Sequence, residues 1–176
     1  MFRGLGVSRG DRVALFLPNC PEFLYCWFGL SLLGVISVPV NTAYKRDEAA
    51  YILNNSEALA LVAHQSLLPV AAPAALLAPS VRHKLVVGTE GEEALSLSKD
   101  WAEDWKNLSE LWAAGPDSVN LPQVSPQDIS MLVYTSGTTG NPKGVQVTHQ
   151  MYVAAGQGFS HWTQATQEDR FFTCLP

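Results

Sequence analysis

Short apolar runs bounded by turn formers alternate along this chain with longer stretches whose apolar residues recur every three or four positions. Arg12–Leu17, after Asp11, shows no polar alternation and reads as a strand buried on both faces. Pro21 and Glu22 then suit the first turn of a helix, Pro21–Leu33, and Gly34 its end. Val35–Val40 reads as a second buried strand. In Arg46–Asn55, Ala49, Ala50, Ile52 and Leu53 fall on one side, which predicts a helix with that inner face. Leu59–Ala63 and Lys84–Val87 complete four strands. Between them Pro69, Pro73 and Pro79 are expected to cut an Ala/Leu-rich segment into short helical pieces. Strands alternating with helices predict an α/β fold, a layered, largely parallel sheet flanked by helices.

From Thr89 to Gln127 the pattern shifts to acidic residues and turn formers. Within it, Trp101, Trp105, Leu108 and Trp112 recur at helical spacing, and Gly115-Pro116 would end such a helix. The stripe fits packing onto the domain body better than lining a ligand groove. Pro122 and Pro126 lead into a strand at Ile129–Thr135, and Val145–Val147 reads as a short returning strand. Thr148 is placed to cap a helix over His149–Trp162, and Arg170–Leu175 would begin another strand. There is no internal repeat. Phe23–Tyr44 holds no charged residue, which is long enough for a membrane span. Gly29, Gly34, Pro39 and Asn41 interrupt it, so helix followed by strand is the better reading.

Composition narrows the partners. The 176 residues are 47% hydrophobic and 15% charged, as in a globular domain. A net charge of −5 leaves no whole-chain footprint for nucleic acid or anionic lipid, although a local loop can still bind phosphate. Cys20, Cys26 and Cys174 match no metal spacing and suit free thiols in a reducing, cytoplasmic setting. The first residues lack a signal-peptide layout. His64, His83, His149 and His161 show no paired ligand spacing, and His149 suits a helix start. Gly6-Val7-Ser8-Arg9-Gly10 spells GxSxG, but it precedes a strand instead of joining strand to helix, so Ser8 is not read as a nucleophile.

One segment concentrates chemistry. Thr135-Ser136-Gly137-Thr138-Thr139-Gly140-Asn141-Pro142-Lys143-Gly144 sets hydroxyls, glycines and one lysine between two strands. Glycine lets backbone N–H groups approach a polyphosphate closely, and successive N–H groups form an anion-binding concavity. Hydroxyls add donors and can reach a magnesium ion, while Lys143 supplies a compact positive charge. A Walker A loop is excluded, because Gly-Lys occurs nowhere in the chain, and Gly-x-Gly-x-x-Gly is absent too. By composition alone the segment is a Gly/Ser/Thr turn joining two strands.

Its order says more. The segment resembles the signature TSGTTGxPKG of the AMP-forming acyl-CoA synthetase, luciferase and adenylation-domain superfamily. Nine fixed positions match, a coincidence of about 10⁻¹¹ per start position at ordinary residue frequencies. Gly6–Leu15 is similar to the family's early G-V-x-x-G-D-x-V-A segment. Pro18–Phe23, Gly34-Val35, Pro39–Asn41, Asp128-Ile129 and Val147–His149 also match, so the likeness covers essentially the whole chain. The run NCPEFLYCWFGL resembles acyl-CoA ligases, including those of the crotonobetaine/carnitine-CoA ligase type.

The resemblance implies an enzyme that activates a carboxylic acid with ATP, releases pyrophosphate, and transfers the acyl group from AMP to the thiol of coenzyme A. Thr135, Ser136, Gly137, Thr138, Thr139, Gly140, Lys143 and Gly144 would then hold ATP. Thr135 would lie nearest Mg2+, and Lys143 and Thr135 would serve catalysis. It further implies an N-terminal part of the family's AMP-binding domain. Phe2–Leu5 resembles the end of a helix begun upstream, and Thr173–Pro176 the start of an LPxxH motif. The adenine site, acyl pocket, C-terminal domain and catalytic lysine would lie downstream, so this piece alone is expected to be inactive. The adenylation domain of a peptide synthetase and a non-catalytic remnant are the alternatives.

Overall fold

The computed structural model describes residues 2–88, 105–113, 120–135 and 140–170. A 3-10 turn (Phe2–Leu5) leads to β1 (Arg12–Phe16), α1 (Pro21–Leu32), β2 (Ile36–Pro39), α2 (Arg46–Asn55) and β3 (Ala60–His64). A second 3-10 turn (Gln65–Leu67) precedes α3 (Leu68–Leu76), β4 (His83–Val87), β5 (Trp105–Asn107) and α4 (Leu108–Ala113). Then come β6 (Ile129–Thr135), β7 (Lys143–Thr148) and α5 (His149–Thr163). The described strands form one sheet in the order β5-β4-β3-β1-β2-β6-β7. Every neighbouring pair is parallel except β6 and β7, which run antiparallel.

Alternate residues of the central strands feed two cores, one on each face of the sheet. Ala14, Phe16, Val38 and Leu61 pack against Ile52 and Leu53 of α2 and Ala71 and Ala74 of α3. Val13, Leu15, Val62 and Leu85 pack against Cys26 and Leu30 of α1, Leu108 of α4, and Phe2. This is the α/β layering expected from the sequence, and the inner face assigned to α2 is fully buried. The uncharged stretch is α1 followed by β2. Among the described residues no helix is long and apolar enough to cross a membrane.

Two expectations fail. Leu68–Leu76 is a single helix that contains Pro73, not a series of pieces. Pro69 sits in its first turn, where a missing N–H costs nothing. The one bond Pro73 forfeits is offset by burying Ala71, Ala72, Ala74 and Ala75 against the first core. The tryptophan stripe is not one helix either. Trp105 pairs with Lys84 across β5 and β4 and enters the first core, whereas Leu108 and Trp112 belong to α4 and pack on the second. Trp101, Gly115, Pro116 and Phe171–Leu175 lie outside the described residues.

Candidate functional site

Strand β6 runs parallel to β2, so Thr135 stands at the carboxyl end of the parallel sheet, where open α/β sheets gather ligands. β7 returns beside it, starting at Lys143, two residues earlier than the sequence pattern suggests. The pairing runs from Ile129↔Thr148 to Tyr134↔Gly144 and Thr135↔Lys143. Thr135 and Lys143 are therefore direct cross-strand partners, with Cβ atoms about 5 Å apart and side chains on one face. Both are exposed. Between them lies the glycine- and hydroxyl-rich loop. Ser136, Gly137, Thr138 and Thr139 lie outside the described residues. Gly140 has φ 147°, a conformation that residues with a Cβ rarely adopt.

Helix α2 holds the base of this loop. The Tyr51 hydroxyl donates to the Pro142 carbonyl at 3.1 Å, and the Tyr134 hydroxyl donates to the Asn55 side-chain oxygen at 2.7 Å. Burial, and next the neighbouring Tyr51, push the Tyr134 hydroxyl above its ordinary pKa, so it stays a protonated donor at neutral pH. The Tyr134 ring also fills the space over Gly144, where a Cβ would come within 3.2 Å of it. Nothing in the local sequence announces these contacts. The hydroxyl and amide on α2 sit at helical spacing beside its apolar face, which is the only trace they leave.

The far end of β6 is tied differently. Asp128 accepts from the Ser125 N–H at 2.9 Å and from Arg9 at 2.8 Å, and both hold its carboxyl below the usual range. His149 opens α5 with its N–H on the Asp128 carbonyl, and Thr148 caps the helix through the Met151 N–H. An open apolar groove of about 860 Å³, lined by Phe28, Leu32, Leu121, Pro126, His149 and Val153, lies at this end. The length of β6 separates it from the loop by roughly 20 Å, so the groove and the loop are distinct.

Other candidate chemistry is weak. Burial pushes the Cys26 thiol up to about 12 and the Cys20 thiol in the same direction, so neither is a thiolate at neutral pH. Ser8 lies in a turn, its N–H on Asp11, ahead of β1. Among the described residues no three His, Cys, Asp or Glu side chains could hold a metal. A magnesium ion here would take its ligands mainly from bound phosphates and water, with a single neutral oxygen such as that of Thr135, a donor set that magnesium accepts.

The AMP-binding enzyme family matches residues 1–176. Over its whole length the chain is 38% identical to crotonobetaine/carnitine-CoA ligase of Salmonella arizonae, spanning 33% of that protein. A long-chain-fatty-acid-CoA ligase from Archaeoglobus fulgidus superposes on 96% of this chain with a TM-score of 0.79 at 31% identity, over 31% of its own length. The anthranilate CoA ligase AuaEII, solved with anthranoyl-AMP, superposes on 89% with a TM-score of 0.78 at 33% identity, over 28% of its length. The chain thus spans about a third of the curated relatives it matches.

Proposed function

The chain belongs to the AMP-binding enzyme family, and on that premise we propose that its β6–β7 loop is the polyphosphate-binding element of an ATP-dependent acid–thiol ligase. The pairing of Thr135 with Lys143 at the carboxyl end of the parallel strands carries this reading. It sets a hydroxyl and an ammonium group side by side at the mouth of a loop rich in backbone donors. Such groups neutralise charge that builds on departing pyrophosphate as a carboxylate attacks the α-phosphate. Magnesium arriving with ATP would add further charge neutralisation, with Thr135 the protein oxygen nearest it.

The acid, ATP and coenzyme A are the substrates of this reading, and a cytoplasmic enzyme its setting. Ser136, Gly137, Thr138, Thr139, Gly140 and Gly144 supply the remaining contacts to phosphate, and Lys143 and Thr135 act in catalysis. In this reading the chain contributes the N-terminal part of the AMP-binding domain. The names of the relatives favour transfer to coenzyme A over transfer to a carrier protein.

Titration of the chain with MgATP, read by calorimetry, tests the assignment. Lys143→Ala removes a charge-assisted contact and should weaken binding about tenfold or more. Equal affinity in the two chains, or no binding by the parent, refutes it.

A further inference from the structure

Helix α2 carries two polar groups, the Tyr51 hydroxyl and the Asn55 amide, beside the residues it buries. Ala49, Ala50, Ile52 and Leu53 are buried, and Asn54 is occupied with the carbonyls of Ala50 and Leu77. Tyr51 and Asn55, four residues apart and so on one side of the helix, both reach the β6–β7 loop. Tyr51 holds the Pro142 carbonyl, and Asn55 holds the Tyr134 hydroxyl. Pro142 immediately precedes Lys143, and Tyr134 immediately precedes Thr135. The helix therefore fastens the residue next to each member of the Thr135–Lys143 pair, one on the outgoing strand and one on the return.

Folding alone does not call for this arrangement. Six register pairs already join β6 to β7, and both cores close without either hydrogen bond. What the two bonds add is a fixed distance between the shoulders of the loop and the body of the domain. We infer that Tyr51 and Asn55 are positioning residues for polyphosphate binding, a clamp from α2 that sets where the Thr135 hydroxyl and the Lys143 ammonium group stand. The inference rests on the polyphosphate reading of the loop and adds to it residues of a separate element.

Removing one neutral hydrogen bond shifts an equilibrium about fivefold, and that sets the expected effect. Tyr51→Phe, which deletes only the hydroxyl, should weaken binding of magnesium tripolyphosphate about fivefold and speed amide exchange at Lys143 and Gly144 by a similar factor. Exchange in β1 and β3 should not change. Tyr134→Phe and Asn55→Ala should each reproduce part of the loss, and their combination should cost no more than the larger single effect. A purely structural role would instead speed exchange across α2 and the central strands, with no separate effect on tripolyphosphate. If Lys143→Ala loses tripolyphosphate while Tyr51→Phe retains it with unchanged exchange, the clamp is refuted and the polyphosphate reading stands. If the unsubstituted chain does not bind tripolyphosphate, the polyphosphate reading falls and the clamp falls with it.

Discussion

The last glycine of the loop motif offers the sharpest test of the site's geometry. Gly144 lies in β7 opposite Tyr134, and a Cβ added there would sit 3.2 Å from the ring's Cζ and 3.4 Å from its Cε2 and hydroxyl oxygen. Carbon atoms prefer separations of about 3.5–4.0 Å, so the ring must retreat by a few tenths of an ångström. It is poorly free to do so, because its hydroxyl is bonded to Asn55 at 2.7 Å and its body packs on the first core. Overpacking of this kind costs about 1–3 kcal/mol. Against it stands a gain of about 0.4–1 kcal/mol from a less flexible unfolded chain. Gly144→Ala should therefore destabilise the protein by about 1 kcal/mol, the difference between these terms. In a Tyr134→Ala background the obstacle is gone, and the same substitution should stabilise by about 0.5 kcal/mol. Urea unfolding of the four chains, followed by far-UV circular dichroism, gives the coupling directly. A cost that persists without the Tyr134 ring, or a gain in its presence, refutes the packing argument.

Gly88 should tolerate change even less, since its φ of +79° and the His64 imidazole both oppose a Cβ; Gly88→Ala should lower the melting temperature more than Gly144→Ala does, and a smaller shift would contradict this. The depressed pKa of Asp128 makes a statement about acid stability. Its carboxylate is held first by the Ser125 N–H and then by Arg9, so the stability it contributes is present above the unfolded value near 3.8 and is lost as pH falls through the lower folded value. Asp128→Asn should flatten the acid limb of a stability–pH curve below about pH 4, and an unaltered limb would count against the pairing. Finally, α5 has no buried residue, and it carries Val153, Phe159 and Trp162 as exposed large apolar side chains. Such a face should drive concentration-dependent self-association, relieved by Trp162→Ser; sedimentation velocity showing a monomer throughout would overturn this.

Much of the fold was legible because the central strands are buried on both faces. Runs such as Val13–Phe16 and Ala60–Ala63 then need no alternation to be recognised. The tryptophan segment misled for a local reason. Leu108 and Trp112 are true helical neighbours on α4, and Trp105 precedes them by three residues, so a strand–helix junction imitates one amphipathic helix. Only pairing with β4, settled far away in sequence, distinguishes the two. Pro73 is tolerated inside α3 because the alanines around it are buried, a gain that its local penalty does not reveal. The loop itself was legible from the order of its residues. Its support was not, since the contacts of Tyr51 and Asn55 span 91 and 79 residues and arise only once the folded sheet brings β6 within reach of α2.

That distant support follows from where the loop sits in the sheet. β7 is an edge strand, and from Lys143 to Gln146 every residue is exposed. It pairs with β6 alone, so among the described residues nothing on its outer side fixes the returning arm of the loop. Binding a polyphosphate demands donors whose spacing is set before the ligand arrives, because each group ordered on binding subtracts from affinity. The nearest well-packed element able to supply that order is α2, whose inner face is sealed into the first core by Ile52 and Leu53. A hydroxyl and an amide on its flank carry the order of the core across to Pro142 and Tyr134. In the polyphosphate reading proposed above, the chemistry of the loop falls to Thr135, Lys143 and the glycines, and its geometry to a helix nearly a hundred residues earlier in the chain.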